Sequence, residues 1–403
     1  MKKNFNIFYL ALSLIASIFQ FLVFTTNSNK ISFQNQYTFS SFQSLISPFS
    51  YIFFLKINTI LYQNVKKNYT DILNALFFSF LLIFIIFILF LLILTPFSNY
   101  LVVTLLYIII AIFDLASTRF ILQQKVYLIG VFKLIQSVFF FIFMFSNLFY
   151  MHNNSLIEAF FYSYLITMSI FLFFNYNIRH FLRNVFINIS FKKFINFIFL
   201  NYHTVLHSLF LMLFNTVPFI LIFTIQNEFG VNKSSQFAHL KQNLILPTTT
   251  LVPIISNLLI NKLLKLQNSL YLNFIKYLFY LIFSSVILYF ILYYGVDYLY
   301  LFYYDSKWHD ILKFKNLLIP IILYHFICLP FFGFYYKLGD YAKLNKFLFL
   351  YFILNLTLLF LTKINFITYL YFYLLLETIY FFIFLSFSFF YFKNASKQEI
   401  SIN

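Results

Sequence analysis

Long apolar runs and short polar breaks alternate along the chain on the scale of membrane spans. Twelve apolar segments can be drawn, at 5–25, 36–61, 73–95, 100–118, 127–149, 156–175, 203–225, 236–260, 270–293, 316–336, 347–362 and 365–391. Each is near the ~20 residues an α-helix needs to cross ~30 Å of hydrocarbon. Hydrocarbon offers no water to backbone N–H and C=O groups, so spans of this kind satisfy them internally, as helices. The breaks are short, and the sequence contains neither a water-soluble domain nor a Gly/Ser-rich or Pro-rich linker. The pattern predicts an all-α polytopic membrane protein with about 12 transmembrane helices.

The polar breaks are asymmetric in charge. With the N-terminus placed in the cytoplasm, seventeen of the 27 lysines and arginines fall in inside segments, six in outside segments and four within helices. That bias in short loops places both termini inside. It also accounts for the formal net charge of +17 without nucleic acid, because basic loops lie against an anionic inner leaflet. The stretch MKKNFNIFYLALSLIASIFQFLVF has the look of a secretory signal. No small-x-small cleavage site follows it, so it is expected to stay as the first helix.

The longest inside connection, NYNIRHFLRNVFINISFKKFINFIFLNYH, is basic, amphipathic and near the midpoint. It is expected to lie on the membrane surface as residues 179–202, joining six-helix halves at 1–178 and 203–403. A weak repeat supports two halves. Gln43–Pro48 reads QSLISP in the second segment, and Gln242–Pro247 reads QNLILP in the eighth. GVFKL at 130–134 and GDYAKL at 339–344 echo each other more faintly. Repeated halves with broken helices point to a transporter whose substrate path runs between them.

The eighth segment holds polar pairs seven residues apart: Lys241 and Gln242, Thr248 and Thr249, Ser256 and Asn257. That spacing keeps them on one face, too polar for lipid. Pro247 and Pro253 free backbone carbonyls in the same helix, and such carbonyls need a polar neighbour. The second segment has the same design, with Ser40, Gln43, Ser47 and Ser50 around Pro48. Two readings are open. The stripes line a wet central cavity, or they are helix–helix glue of the kind hydroxyls and amides supply in any bundle. Lys241 leans toward the cavity, since an inward ammonium needs an anion or water. Lys56 and Lys133 sit toward the cytoplasmic ends of their helices, where lysines also snorkel to headgroups. His207, Asn215 and His325 are candidates for the same cavity or for structural hydrogen bonds. Pro320 and Pro330 are further expected kinks.

Composition adds constraints. The chain is 63% hydrophobic and only 9% charged, with mean hydropathy +0.88, against about 25% charged residues in soluble domains. Phe, Ile, Asn and Lys are abundant together, as an AT-rich genome would give, so aromatic stripes carry no weight. The single cysteine, Cys328, allows no intramolecular disulfide. Acids are few inside the spans. Glu377 sits near the middle of the last segment and Asp114 toward the inner end of the fourth. A carboxyl in hydrocarbon is expensive, so each is either a coupling site for a proton or sodium gradient or a structural hydrogen-bonder. There is no Gly-rich phosphate loop, no pair of carboxylates at helical spacing and no His/Cys metal cluster. No enzyme activity, cofactor or metal is expected.

Three stretches resemble one family. FNTVPFILIFTIQNEFGVNKSSQFAHLKQNLILPTTTLVPIISNLLINKL (214–263) is similar to the seventh and eighth helices of bacterial polysaccharide biosynthesis proteins that flip lipid-linked oligosaccharides. These belong to the superfamily that also holds the multidrug-and-toxin extrusion transporters. Residues 301–356 resemble the loop and helices that follow, with Trp308, Pro330 and Gly339 in the usual places. SFQSLISPFSYIFFLKIN (41–58) resembles the second helix, which often ends Arg-aromatic-Glu; here it ends Lys56-Ile57-Asn58, without the acid.

The resemblance implies two pseudo-symmetric six-helix bundles forming a V in a bacterial inner membrane, with alternating access. It implies an undecaprenyl-diphosphate-linked oligosaccharide as cargo, for O-antigen, capsule or another surface polysaccharide. Membrane lipids, a polysaccharide polymerase and chain-length proteins would be its other partners. On that reading Lys241, with Lys56 and Lys133, holds the diphosphate, and Gln43, Ser47, Gln242, Thr248 and Thr249 face the sugars. The alternatives are a multidrug or organic cation exporter on the same scaffold, and a membrane polysaccharide polymerase or ligase. The polymerase reading would rest on Asp305 and His309 in the outside connection.

Overall fold

The computed structural model describes residues 2–26, 31–50, 69–94, 100–122, 125, 127–145, 155–175, 179–180, 182–184, 190–200, 202–263, 270–304, 306–332, 334–335, 340–361 and 364–402. The described residues are almost wholly helical. In chain order the α-helices are α1 (Lys2–Thr26), α2 (Phe33–Ser50), α3 (Tyr69–Leu94), α4 (Tyr100–Leu122), α5 (Tyr127–Phe145), α6 (Ser155–Phe174), α7 (Phe191–Leu200), α8 (Tyr202–Leu263), α9 (Leu270–Tyr303), α10 (Lys315–Cys328), α11 (Tyr341–Leu356) and α12 (Phe366–Ile402). A 3₁₀ turn at Ser306–Phe314 leads into α10. Seven helical stretches among the described residues are long and apolar enough to cross a membrane; Ala11–Phe24, Ala75–Leu89 and Leu101–Ser117 are shorter apolar helices. The protein is a polytopic, all-α membrane protein.

The predicted segments and the helices agree within a few residues over most of the chain. The instructive difference is α8, which contains both the seventh and the eighth segment. Its backbone leaves helical geometry at Gly230, with φ 82° and ψ 169°. This region of backbone space is open essentially to glycine alone. The Ser234 hydroxyl donates to the Ile222 carbonyl at 2.9 Å. Twelve residues of straight helix would hold those groups ~18 Å apart. The chain therefore folds back at Gly230, and Phe229 beside the turn packs on Phe366 and Tyr369 of α12. The backbone of α8 stays helical through Pro247 and Pro253.

The chain divides into two compact units, Met1–Phe219 and Ile220–Asn403, and the division falls within α8. In the first unit α1 packs along α5, and α6 contacts α2, α4 and α5. Close approach of α1 and α5 depends on Gly130, where a Cβ would lie 3.1 Å from Leu12 Cβ and 3.2 Å from the Tyr9 ring. Ala116, Phe120, Ile129, Phe132, Met168 and Phe171 form a core between α4, α5 and α6. The short helix α7 buries Phe194 against Phe78 of α3 and leaves Phe191, Phe199 and Leu200 exposed.

In the second unit α12 is the central element, contacting α9, α10 and α11. Much of α9 is exposed and apolar, including Phe279, Phe283 and Phe290, as a lipid-facing helix should be. At the N-terminal end of α10, buried Lys315 pairs with Asp297 of α9 and lies 3.6 Å from the centre of the Tyr293 ring. At the start of α11, Asp340 caps the helix by accepting from the Lys343 N–H, and its carboxylate also meets Lys343 Nζ and the Tyr391 hydroxyl.

Candidate polar site in the C-terminal unit

Beyond the Gly230 turn, α8 carries two polar faces. Lys241 is two residues from both His239 and Asn243, about 200° round the helix from each. The two faces accordingly meet different partners.

On one face, Lys241 Nζ donates to the Tyr373 hydroxyl of α12 at 3.4 Å. The same ammonium stands 5.6 Å from the ring centres of Phe237, one turn back on α8, and of Tyr373. Aromatic faces of this kind attract a cation without neutralising it. Tyr373 lies one turn from Glu377 on α12. Glu377 is 1% exposed. Its Oε1 accepts from the Tyr351 hydroxyl of α11 at 2.7 Å, and its Oε2 faces His325 Nε2 of α10 at 3.1 Å. Tyr351 also stands 3.4 Å from that imidazole nitrogen. A buried carboxyl without donors would cost several kcal/mol. Here Tyr351 of α11 and His325 of α10 face its two oxygens.

On the other face, His239 Nδ1 is 2.7 Å from the Tyr300 hydroxyl of α9. Asn243 Nδ2 donates to Tyr300 at 2.9 Å and to Tyr304 at 3.1 Å. Trp308 stacks on His239 with ring centres 4.4 Å apart and is fully buried. This second cluster is closed by aromatic rings and reads as a structural clasp between α8 and α9.

The structure thus brings together Lys241, Glu377 and His325, residues that the sequence places 52 to 136 positions apart. Gln242 is half-buried beside Lys241. Thr248, Thr249, Pro247 and Pro253 lie on α8 with side chains outside the described residues, as do Ser47 and Pro48 on α2. Lys56 also lies outside them. Pro320 is inside α10, and Pro330 is buried in the 3₁₀ turn after it.

The remaining candidates belong to the first unit. Gln43 and Asp114 are half-buried. Lys133 is exposed, 5.9 Å from the Tyr9 ring. His207 is buried, and Asn215 donates to the Leu211 carbonyl of its own helix at 2.7 Å. Tyr351 and Tyr373 are the site residues that sequence reasoning missed. The signal was present, since Tyr373 and Glu377 are one helical turn apart, but 25% aromatic composition hides it. Among the described residues no three His, Cys, Asp or Glu side chains gather as a metal site.

No protein-family model matches the chain, and no curated protein matches it in sequence. Solved structures do. An inward-facing multidrug resistance MATE family transporter of the MOP superfamily matches with TM-score 0.65 at 10% identity, over 97% of this chain and 96% of that one. An outward-facing form of such a transporter matches with TM-score 0.63 at 11% identity, over 99% and 96%. A MOP superfamily transporter from Pyrococcus furiosus matches with TM-score 0.64 at 10% identity, over 99% and 96%; the reverse polarity of its binding pocket suggests a different function for that protein. These neighbours are transporters, and over nearly its whole length the chain has the fold of the MATE transporters of the MOP superfamily.

Proposed function

We propose that this protein is a membrane transporter that moves an undecaprenyl-diphosphate-linked oligosaccharide across a bacterial inner membrane by alternating access, for assembly of a surface polysaccharide. Both termini are placed in the cytoplasm by the distribution of lysine and arginine. The fold supports alternating access, since solved inward-facing and outward-facing neighbours match it about equally well, with TM-scores of 0.65 and 0.63.

The observation that carries the choice of cargo is Lys241. Among the described residues its ammonium meets a phenol and two ring faces, with no carboxylate in direct contact. Its charge therefore remains available to an anion. A diphosphate in a medium of low dielectric is well matched to such a donor through charge-assisted hydrogen bonds. The neutral amides and hydroxyls named from the sequence are suited to sugars, and the prenyl tail stays in lipid. A strain lacking the gene should accumulate undecaprenyl-linked units on the cytoplasmic face. Normal surface glycan in that strain would contradict the proposal.

A second reading, export of organic cations or drugs, is favoured by Glu377 and by the multidrug neighbours. Against it, both oxygens of Glu377 are engaged by Tyr351 and His325. A drug-susceptibility panel separates the two: broad sensitisation on deletion with intact glycan supports the exporter.

A further inference from the structure

The connector between α6 and α8 carries cations and no acid. From Glu158 to Glu228 the sequence has no other acidic residue, while Arg179, Arg183, Lys192 and Lys193 fall inside that interval. Two apolar side chains pin the connector to the first unit. Leu182 packs against the core of Ala116, Phe120, Phe132 and Phe171. Phe194 of α7 is buried on Phe78 of α3, with ring centres 5.4 Å apart. What these anchors leave outward is of one kind. Beside Leu182, the side chains of Arg179, His180 and Arg183 are exposed. On α7, Lys192 is exposed two residues from Phe194, about 200° round the helix. Phe191, Ile195, Phe199 and Leu200 are exposed as well, Phe199 at 76% and Leu200 at 81%. Phe191, Lys192, Ile195 and Phe199 fall within about 100° of one another round the helix. An exposed cation among exposed apolar side chains suits neither water nor hydrocarbon. It suits the boundary between them, where rings reach the acyl chains and a lysine reaches phosphate.

We propose that Arg179, Arg183, Lys192 and the outward side of α7 form a binding surface for anionic phospholipid, selecting an acidic headgroup over a zwitterionic one. The cations give the selectivity, since each lysine or arginine held at such a surface favours acidic lipid by about fivefold. The apolar side chains give the depth and are indifferent to the headgroup. The two anchors hold the cations at the headgroup level, so little ordering is left to be done when lipid binds. The surface belongs wholly to the first unit. It involves neither Lys241 nor the cargo, so it stands or falls apart from the transport reading.

The test uses the purified full chain in phosphatidylcholine nanodiscs doped with brominated phosphatidylglycerol or with brominated phosphatidylcholine. Phe199→Trp puts an indole on the outward side of α7. The single native tryptophan, Trp308, is fully buried in the second unit, so wild type supplies the blank. Brominated phosphatidylglycerol is expected to reach half-maximal quenching at a mole fraction lower by about fivefold or more than brominated phosphatidylcholine. Adding Arg183→Gln and Lys192→Gln should bring the two curves most of the way together, and about 1 M salt should narrow the gap as well. Leu200→Trp repeats the measurement if Phe199→Trp does not fold. Equal curves for the two lipids with all cations in place would overturn the proposal, because α7 would then be held by apolar contact alone. Absence of quenching by either lipid would overturn it too, as would a preference that survives both glutamine substitutions unchanged.

Discussion

In the unit Met1–Phe219 neutral side chains join helices through several polar contacts. Asn35 donates to Ser155 at 2.6 Å, Gln136 to Ser163 at 2.9 Å, and Gln20 to Gln136 at 3.5 Å. In the unit Ile220–Asn403 the corresponding contacts involve Lys241, His325, Glu377 and His239. Both sets fasten helices where the hydrophobic effect gives little drive between them, because lipid is as apolar as leucine. Only the second set holds charge inside the membrane. Charge there is costly and usually functional. The contrast teaches that these neutral contacts of the first unit serve packing, while the cluster of the second unit gathers ionisable side chains from several helices.

The sharpest way to break this comparison is to exchange one residue from each set. Lys241→Ala should lower transport of the lipid-linked glycan by about 10- to 100-fold, the worth of one charged hydrogen bond. Gln136→Leu, from the neutral set, should change the rate by less than about threefold. Rates in reconstituted vesicles check both, and equal losses would erase the distinction.

Next in size is Glu377→Leu. It leaves Tyr351 and His325 facing an apolar side chain, at about 1–3 kcal/mol for each stranded group. Thermal unfolding in detergent should fall well below wild type, and Glu377→Gln should recover part of the loss by still accepting from Tyr351. A Leu variant as stable as wild type would make the carboxyl dispensable to the packing.

Gly230→Ala should cost about 1–3 kcal/mol through backbone strain alone, since no atom lies within 4 Å of the added Cβ. Gly295→Ala is the control in the same unit, also open but with no positive φ, and should be neutral or slightly stabilising. A matched effect at both positions would remove the special role of the Gly230 turn.

The smallest effect concerns Asp340, which lies between spans. Burial alone would raise its carboxyl, but hydrogen bonds from Lys343 and Tyr391, with the Lys343 charge, outweigh burial and hold it below its ordinary value of 3.8. A carboxyl depressed in the folded state stabilises at neutral pH, and that contribution fades as pH falls below 3.8 toward the folded-state value. Asp340→Asn keeps a capping oxygen but loses the ion pair with Lys343, and should cost at most about 1 kcal/mol near neutrality and less in acid. Chemical denaturation at the two pH values reads the difference.

Much of the fold was legible because spans are written in length and hydropathy, which a bilayer imposes residue by residue. Segments such as 127–149 and 270–293 sit on α5 (Tyr127–Phe145) and α9 (Leu270–Tyr303) for that reason. Lys241, Glu377 and His325 stood out individually because ionisable groups are rare in such a background. Their convergence was not legible. It depends on how α8, α10 and α12 pack, and no spacing along the chain encodes that. Tyr351 and Tyr373 were hidden for a different reason. Among 33 tyrosines and 67 phenylalanines a hydroxyl carries no sequence signal until its partner is known. Gly230 lies in the stretch 214–263 that carries the family resemblance, but its turn is a matter of φ, not of composition.

The most direct test of the account is translocation of a fluorescent prenyl-diphosphate oligosaccharide by wild type and Lys241→Ala in the same proteoliposomes. The account predicts flipping by wild type and a loss of about tenfold or more in the variant. Equal rates in the two, or no flipping by wild type while an organic cation is exported, would contradict it.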